Sequence, residues 1–453
     1  MIRDVIVIGA GVVGCAAALE AARLGLDVLL VDGAPVPGLG SFSRGAVPAA
    51  LLREAARAAH PPQRGSGPAT AARVALAELT ERRRQVLAGH LSRVFRELKE
   101  HGVRFERGPA TLRSPREVSI GERGVRSADV VVIATGSRPR RPASFPFGGP
   151  VVCDEESVFR LDRLPRSLVI VGAEVVGCEF ACLFASLGVE VTLIERRRRL
   201  LRCVDREILE VLHARMQQLG IVVALEEQIQ ALEVEPGGAE PHASLRLASG
   251  RVEKCDRLLV LAGREPATDA LGLSQSGVQV DAQGFISVDE HFQTSQAGVY
   301  AVGDVVGYPF RIGSGLHQAR TAMLHAAGRP PAVFDDPPVA IYTVPEIAQV
   351  GLIEEAVRRL DIGYVVGSAR LEATFHGRVD GSASGLVKVI FERESRRLLG
   401  AQIIGDGASE LVHVAAAWLG AGTTLEQIAH CVFNHPSRAE AYRLAALDAS
   451  ERG

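Results

Sequence analysis

The residues of this chain best suited to chemistry are glycines and acids at fixed spacing. Gly9, Gly11 and Gly14 follow the apolar run Val5-Ile6-Val7-Ile8, and Gly172 and Gly177 follow Leu168-Val169-Ile170-Val171. An acid stands 23 residues beyond the first glycine of each turn, Asp32 in one case and Glu195 in the other. A strand, a glycine turn and a helix in that order are built to bind a dinucleotide. The first glycine permits the tight turn, the second admits a pyrophosphate to the backbone, and the third lets helix and strand pack closely. The helix N-terminus donates to the phosphates and the acid accepts from a ribose hydroxyl. Two such units, whose first glycines are 163 residues apart, point to two dinucleotides, a flavin and a nicotinamide.

The second unit departs from this pattern. Glu174 stands where its second glycine belongs, and a carboxylate there opposes a pyrophosphate by both charge and bulk. Glu195 favours NAD through the 2'-hydroxyl, whereas the following run Arg196-Arg197-Arg198-Arg199 suits a 2'-phosphate and favours NADP. A solvated surface run is an equal reading of the arginines, so the residues leave both nucleotides open. Cys178 and Cys182 are four apart on the second helix with no third ligand beside them, which reads as packing, and no metal is expected.

The elements that must position these residues follow from hydrophobic periodicity. Val5 to Ile8, an alanine-rich helix through Arg23 and Val28 to Val31 form a β-α-β unit. A Pro/Gly/Ser segment at 60–68 precedes a long charged helix expected over 71–101. The run 129–134 reads as a buried strand ending at Thr135-Gly136, and the proline-rich stretch 139–150 as a connection. After the second β-α-β unit come strands within 222–247, and buried strands end at Gly263-Arg264 and at Gly303-Asp304. The last of these is expected to rejoin the first domain. Beyond Asp335-Asp336-Pro337-Pro338 the pattern changes to strands near 385–391 and 398–404 and helices from Ser409 onward.

The fold class expected is therefore α/β, with two Rossmann-like dinucleotide-binding domains and a C-terminal α+β domain. The boundaries fall at 1–150 with 285–334, at 151–284, and at 335–453. A length of 453 residues calls for two to three domains. A net charge of −2 speaks against nucleic-acid binding or a polybasic membrane role. No leader pattern or long apolar run appears, so a cytoplasmic protein is expected, and seven scattered cysteines read as reduced thiols.

These segments, with Ala134-Thr135-Gly136, Gly263-Arg264, Ala301-Val302-Gly303-Asp304, Ile341-Tyr342-Thr343-Val344-Pro345-Glu346 and Phe433-Asn434-His435-Pro436, resemble the flavoprotein disulfide reductases over nearly the whole chain. The soluble pyridine nucleotide transhydrogenase branch is the nearest likeness. The resemblance implies FAD on the first unit, with Asp32 on the adenosine ribose and Asp304 on the ribityl chain. Gly9, Gly11, Gly14, Ser41, Ala110, Thr135 and Gly136 join them as cofactor-binding positions. It implies NAD or NADP on the second unit, where Gly172, Gly177, Glu195, Gly263 and Arg264 are the corresponding positions. It also implies a homodimer formed by the region from about residue 337, acting on a small-molecule substrate or electron acceptor.

The departures from the family narrow the chemistry. The two redox cysteines of relatives fall on Ser41 and Ala46, which excludes dithiol/disulfide exchange at that place. Ser41 is then a polar contact or inert. The lysine beside the flavin falls on Ala50 while its acid partner is kept as Glu179, so Glu179 is expected to be either unpaired or solvated on its helix. His435 and Glu440 are retained, a pair that in disulfide reductases acts as acid and base across the dimer interface. Three functions follow. The leading one is an FAD oxidoreductase without a redox disulfide, passing hydride equivalents from NAD(P)H to a non-disulfide acceptor such as a second nicotinamide or a quinone. The alternative is nicotinamide-independent oxidation of a small organic substrate, with His435 and Glu440 moving the proton. The third is a non-catalytic flavin-binding protein.

Overall fold

A computed structural model gives the fold, and the residues it describes are 3–59, 76–161, 163–235, 237, 241–330, 337–380 and 385–452. The segment 60–68, the start of the helix expected from residue 71, and Asp335-Asp336 lie outside them. The chain divides into two compact units. One comprises Met1–Leu51, Ala77–Pro142 and Ala262–Val333, and the other Leu52–Leu76, Ala143–Leu261 and Phe334–Gly453.

In the first unit the strand Arg3–Ile8 lies between Val28–Asp32 and Val125–Ile133, parallel to both, with Val5 opposite Val28 on one side and Val130 on the other. Val5, Ile6 and Val7 are fully buried, because a parallel strand is covered on both faces and needs an unbroken apolar run. Val5 and Val7 face a core shared with the helices Val12–Arg23 and Ile312–Ala326, while Ile6 and Ile8 face a second core around Leu112, Val118 and Ile120. Val299–Ala301 pairs parallel with Val131 to Ile133, as the sequence led us to expect. The long helix is Leu76–Glu100, and its Leu98 packs onto the helix-side core. Ahead of the proline-rich connection, Ser137–Pro139 pairs antiparallel with Arg264–Pro266.

In the second unit a parallel sheet runs Val222–Leu225, Glu190–Glu195, Ser167–Val171, Arg257–Val260, Val152–Cys153. An antiparallel sheet of Ile229–Glu235, His242–Leu247 and Val252–Cys255 accompanies it. The C-terminal sheet is antiparallel, ordered Val339–Ile341, Ile347–Gly351, Leu398–Ile404, Leu386–Glu392, Tyr364–Arg370. Val387, Val389, Phe391 and Ile403 share a core with the helices Ala408–Ala421 and Glu440–Arg452. The architecture is the α/β fold with a C-terminal α+β region read from the sequence.

Lys388 has a side chain only 1% exposed. Its Nζ lies 3.1 Å from Asp205, 2.9 Å from Glu207 and 2.6 Å from Glu354. Asp205 precedes the helix Arg206–Gln218, and its carboxylate also accepts from the Glu354 N–H at 3.1 Å. Burial alone would lower the Lys388 pKa, but hydrogen bonds to Glu354 and Glu207 and the charge of Asp205 outweigh it and hold it raised.

Candidate functional site

The first cradle is assembled by contacts that only glycine permits. Gly9 sits at φ +101°, and a Cβ there would lie 2.4 Å from the carbonyl oxygen of Ala134. A Cβ on Gly14 would lie 1.8 Å from the carbonyl oxygen of Gly9, so helix and strand touch backbone to backbone. Asp32, at the end of its strand, accepts from the N–H of Ala10 at 2.6 Å and of Ala34 at 2.7 Å. Four lone-pair sites on a carboxylate leave capacity for ribose hydroxyls.

Ser41 is exposed, and its Oγ lies 3.4 Å from the Val12 N–H and 2.7 Å from a Cβ built on Gly11. The hydroxyl thus stands beside the opening of the nucleotide helix as a polar contact. Ala110 begins the strand Ala110–Ser114, opposite Ile120, and packs on the second core. The Thr135 Oγ1 is buried without a hydrogen-bond partner among the described residues. An orphaned hydroxyl beside Gly136 and a glycine cradle open at a helix N-terminus fit a phosphate-bearing cofactor.

Asp304, Ser137 and Arg264 meet through the pairing of Ser137–Pro139 with Arg264–Pro266. Ser137 Oγ donates to Asp304 Oδ2 at 2.6 Å, and Arg264 Nε donates to Ser137 Oγ at 2.6 Å. Gly263 and Arg264 therefore stand in the first unit, with Asp304.

The second cradle repeats the first in detail. Gly172 sits at φ +105°, where a Cβ would lie 2.7 Å from the carbonyl oxygen of Leu261, and a Cβ on Gly177 would lie 1.8 Å from that of Gly172. Glu195 is 6% exposed and accepts from the N–H of Ala173 at 2.9 Å and of Arg197 at 3.1 Å, in the posture of Asp32.

Comparison with known proteins bears on this pair of cradles directly. Residues 3–326 match the pyridine nucleotide-disulphide oxidoreductase family, and residues 337–446 match its dimerisation domain. The chain belongs to the pyridine nucleotide-disulphide oxidoreductases. It is 34% identical over 455 residues to a soluble pyridine nucleotide transhydrogenase of Mycobacterium bovis, covering 98% of this chain and 96% of that one. It is 34% identical over 462 residues to that of a Marinomonas species, covering 99% and 98%. The HOCl-induced flavoprotein disulfide reductase RclA from Escherichia coli superposes with a TM-score of 0.87 at 22% identity, covering 98% of this chain and 99% of that one. LpdA from Mycobacterium tuberculosis does so at 0.85 and 24%, covering 98% and 99%. The protein is an FAD-dependent pyridine nucleotide oxidoreductase, transhydrogenase-like, and carries the family's dimerisation domain. Among the described residues no helix is long and apolar enough to cross a membrane.

For a disulphide oxidoreductase its sulfur is misplaced. None of the seven cysteines is in a disulfide. Burial pushes the thiols of Cys15, Cys153, Cys182 and Cys255 up to about 12 and raises Cys178 well above its ordinary value. Thiols held neutral in this way are poor nucleophiles. Cys178 donates to the Ala173 carbonyl at 3.3 Å, which is packing rather than ligation.

Two expectations need correction. Glu179 is not unpaired: half-buried on the helix Val175–Ser186, it accepts the Tyr342 N–H at 2.8 Å, and the Arg53 guanidinium lies 3.9 Å over the Tyr342 ring. A cation therefore stands one helical turn beyond Ala50, although sequence alignment with the family lysine does not reveal it.

Nor does Glu440 orient His435. The two line a recess of about 350 Å³ with Cys431, Phe433 and Arg443. There Glu440 Oε1 accepts from Arg443 at 3.3 Å, and the exposed His435 rests against Phe375 with ring centroids 5.0 Å apart. Among the described residues they are not hydrogen-bonded to one another, because an arginine three positions on captures the carboxylate.

Sequence reasoning missed the Lys388 cluster, although a lysine inside Leu386-Val387-Lys388-Val389-Ile390-Phe391 is a legible anomaly. It also missed the partners of Glu174, which bonds Arg197 at 2.6 Å and Arg202 at 3.0 Å.

Proposed function

We propose that this protein passes hydride equivalents from a reduced nicotinamide nucleotide through FAD to an acceptor that is not a disulfide, either a second nicotinamide nucleotide or a quinone, as a cytoplasmic homodimer. The observation that carries this reading is the pairing of an intact flavin cradle with Ser41 at the sulfur position. Bound FAD supplies the chemistry, accepting a hydride from one partner and returning two electrons to the other. The chain's part is to hold and orient. Asp32 takes the adenosine ribose, Gly9, Gly11 and Gly14 admit the pyrophosphate, and Thr135 and the Ser137–Asp304–Arg264 group line the same cradle. Glu195 takes the nicotinamide nucleotide's ribose on the second cradle. Glu179 and Arg53 both contact Tyr342, the carboxylate at its N–H and the guanidinium over its ring, which puts a cation near the place of the family lysine.

Anaerobic mixing with NADH and NADPH tests the reading: the flavin absorbance is expected to bleach, and to return when a quinone or an oxidised nicotinamide analogue is added. Absence of bleaching with either nucleotide overturns it. Alkylation of the native protein with iodoacetamide is expected to leave the bleaching rate unchanged, because the buried thiols are neutral and none stands at the disulfide position. Loss of flavin reduction on alkylation, prevented by replacing Cys203 or Cys431, would show a redox thiol after all.

A further inference from the structure

Glu174 occupies the position of the second glycine without disturbing the turn. Its backbone angles, φ −78° and ψ −166°, repeat those of Gly11, φ −69° and ψ −175°. Both are extended conformations open to any residue, so the main chain does not demand glycine there. What the glutamate changes is the charge in front of the helix.

Its Oε1 is the convergence point of two guanidiniums, with Arg197 Nη1 at 2.6 Å and Arg202 Nε at 3.0 Å. Two arginines aimed at one anionic oxygen are the arrangement used to recognise phosphate. Their placement says which phosphate. The Arg197 main-chain N–H is itself bonded to Glu195 Oε1, so the residue that carries this guanidinium is fixed beside the acid that faces the ribose hydroxyls. Of the neighbouring arginines, Arg198 bonds Glu226 at 2.7 Å and Arg199 the Val204 carbonyl, while Arg196 is exposed.

We propose that Glu174 is a built-in counter-anion that occupies the Arg197–Arg202 clamp in place of a nucleotide 2'-phosphate, and so sets the preference of the second cradle for the non-phosphorylated nucleotide. The inference rests on the nicotinamide reading of that cradle. A nucleotide with a free 2'-hydroxyl needs only Glu195 and leaves the clamp closed. A 2'-phosphorylated nucleotide must displace a tethered carboxylate, and it meets Glu174 and Glu195 as like charges while it does so. The Glu174, Arg197 and Arg202 side chains are 45%, 37% and 64% exposed. The ion pairs therefore contribute little to stability, and the fold does not depend on them.

The test is calorimetric titration of the FAD-loaded full chain and its Glu174→Gln variant with adenosine 5'-monophosphate and adenosine 2',5'-bisphosphate. In Glu174→Gln the bisphosphate is expected to tighten by on the order of 10- to 100-fold, the worth of charge-assisted bonds to a phosphate, and the monophosphate by less than about 3-fold. Adding Arg197→Gln to that variant is expected to abolish the gain. No gain for the bisphosphate overturns the proposal. So does an equal gain for both probes, which would place the action of Glu174 at the 5'-phosphate, or a gain that survives loss of Arg197. Bleaching of the flavin by NADH, followed in the same preparations, reports separately on the proposed function.

Discussion

Replacement of Lys388 by methionine is expected to cost about 3–5 kcal/mol of stability, the range for removing one partner of a buried ion pair. Asp205 is 5% exposed, so its carboxylate is left buried once the ammonium is gone, whereas Glu354 keeps Arg358 and Tyr364 as partners and the half-exposed Glu207 can turn outward. Denaturant unfolding followed through the single tryptophan checks this, because Trp418 packs against Phe433 and Tyr442 in the same C-terminal region. A loss below about 1 kcal/mol, the worth of a surface pair, would show that the cluster is solvated.

The effect has a defined pH window. The Lys388 pKa is raised above 10.5, so its contribution is complete below that value and is lost as pH climbs through the raised value. Burial tends to raise the Glu354 pKa, but hydrogen bonds from Lys388 and Tyr364 hold it below 4.5, so its contribution is present above 4.5 and is lost as pH falls. The gap between wild type and Lys388→Met is therefore expected to be widest between these limits and to narrow on both sides.

The glycines of the two cradles predict an asymmetric pair of outcomes. Gly14→Ala places a methyl 1.8 Å from the Gly9 carbonyl oxygen, and Gly177→Ala does the same against Gly172. Both contacts are with backbone, so no side chain can swing aside and the helix must lift from its strand, at a cost of about 3 kcal/mol or more. Gly14→Ala is expected to purify without flavin. Gly177→Ala is expected to retain it, while NADH no longer bleaches it. Visible flavin absorbance per chain and anaerobic titration read both results. Full flavin content in Gly14→Ala, or loss of flavin from both variants alike, would show that the cradles are not divided in this way.

Legibility in the sequence followed the range of the interaction. The strand Arg3–Ile8 was readable because burial on both faces demands the run Val5-Ile6-Val7-Ile8, and the glycine turns because Gly14 meets Gly9 and Gly177 meets Gly172 within five residues while Gly9 and Gly172 are required by their own positive φ. The pairing of Ser137–Pro139 with Arg264–Pro266 was not readable, since short strands rich in proline carry no period and their partners are distant in sequence. With that pairing went the meeting of Arg264 with Ser137 and Asp304. His435 and Glu440 share no hydrogen bond among the described residues for a local reason, a competing arginine at 443 that spacing alone does not rank.

The sequence by itself determined that two glycine turns with their acids exist, because these depend on residue identity and nearest neighbours, and its resemblance to the family put Ser41 and Ala46 at the sulfur positions. Tertiary structure decided what the charges do. Glu174 stood in the sequence as an obstacle before a helix, and became the anion of an arginine clamp once Arg197 and Arg202 were brought round from beyond the next strand. Lys388, one of three lysines, acquired its partners from residues 34 to 183 positions away. Coulomb attraction acts between whichever groups packing brings within a few ångströms, and spacing along the chain does not encode that distance.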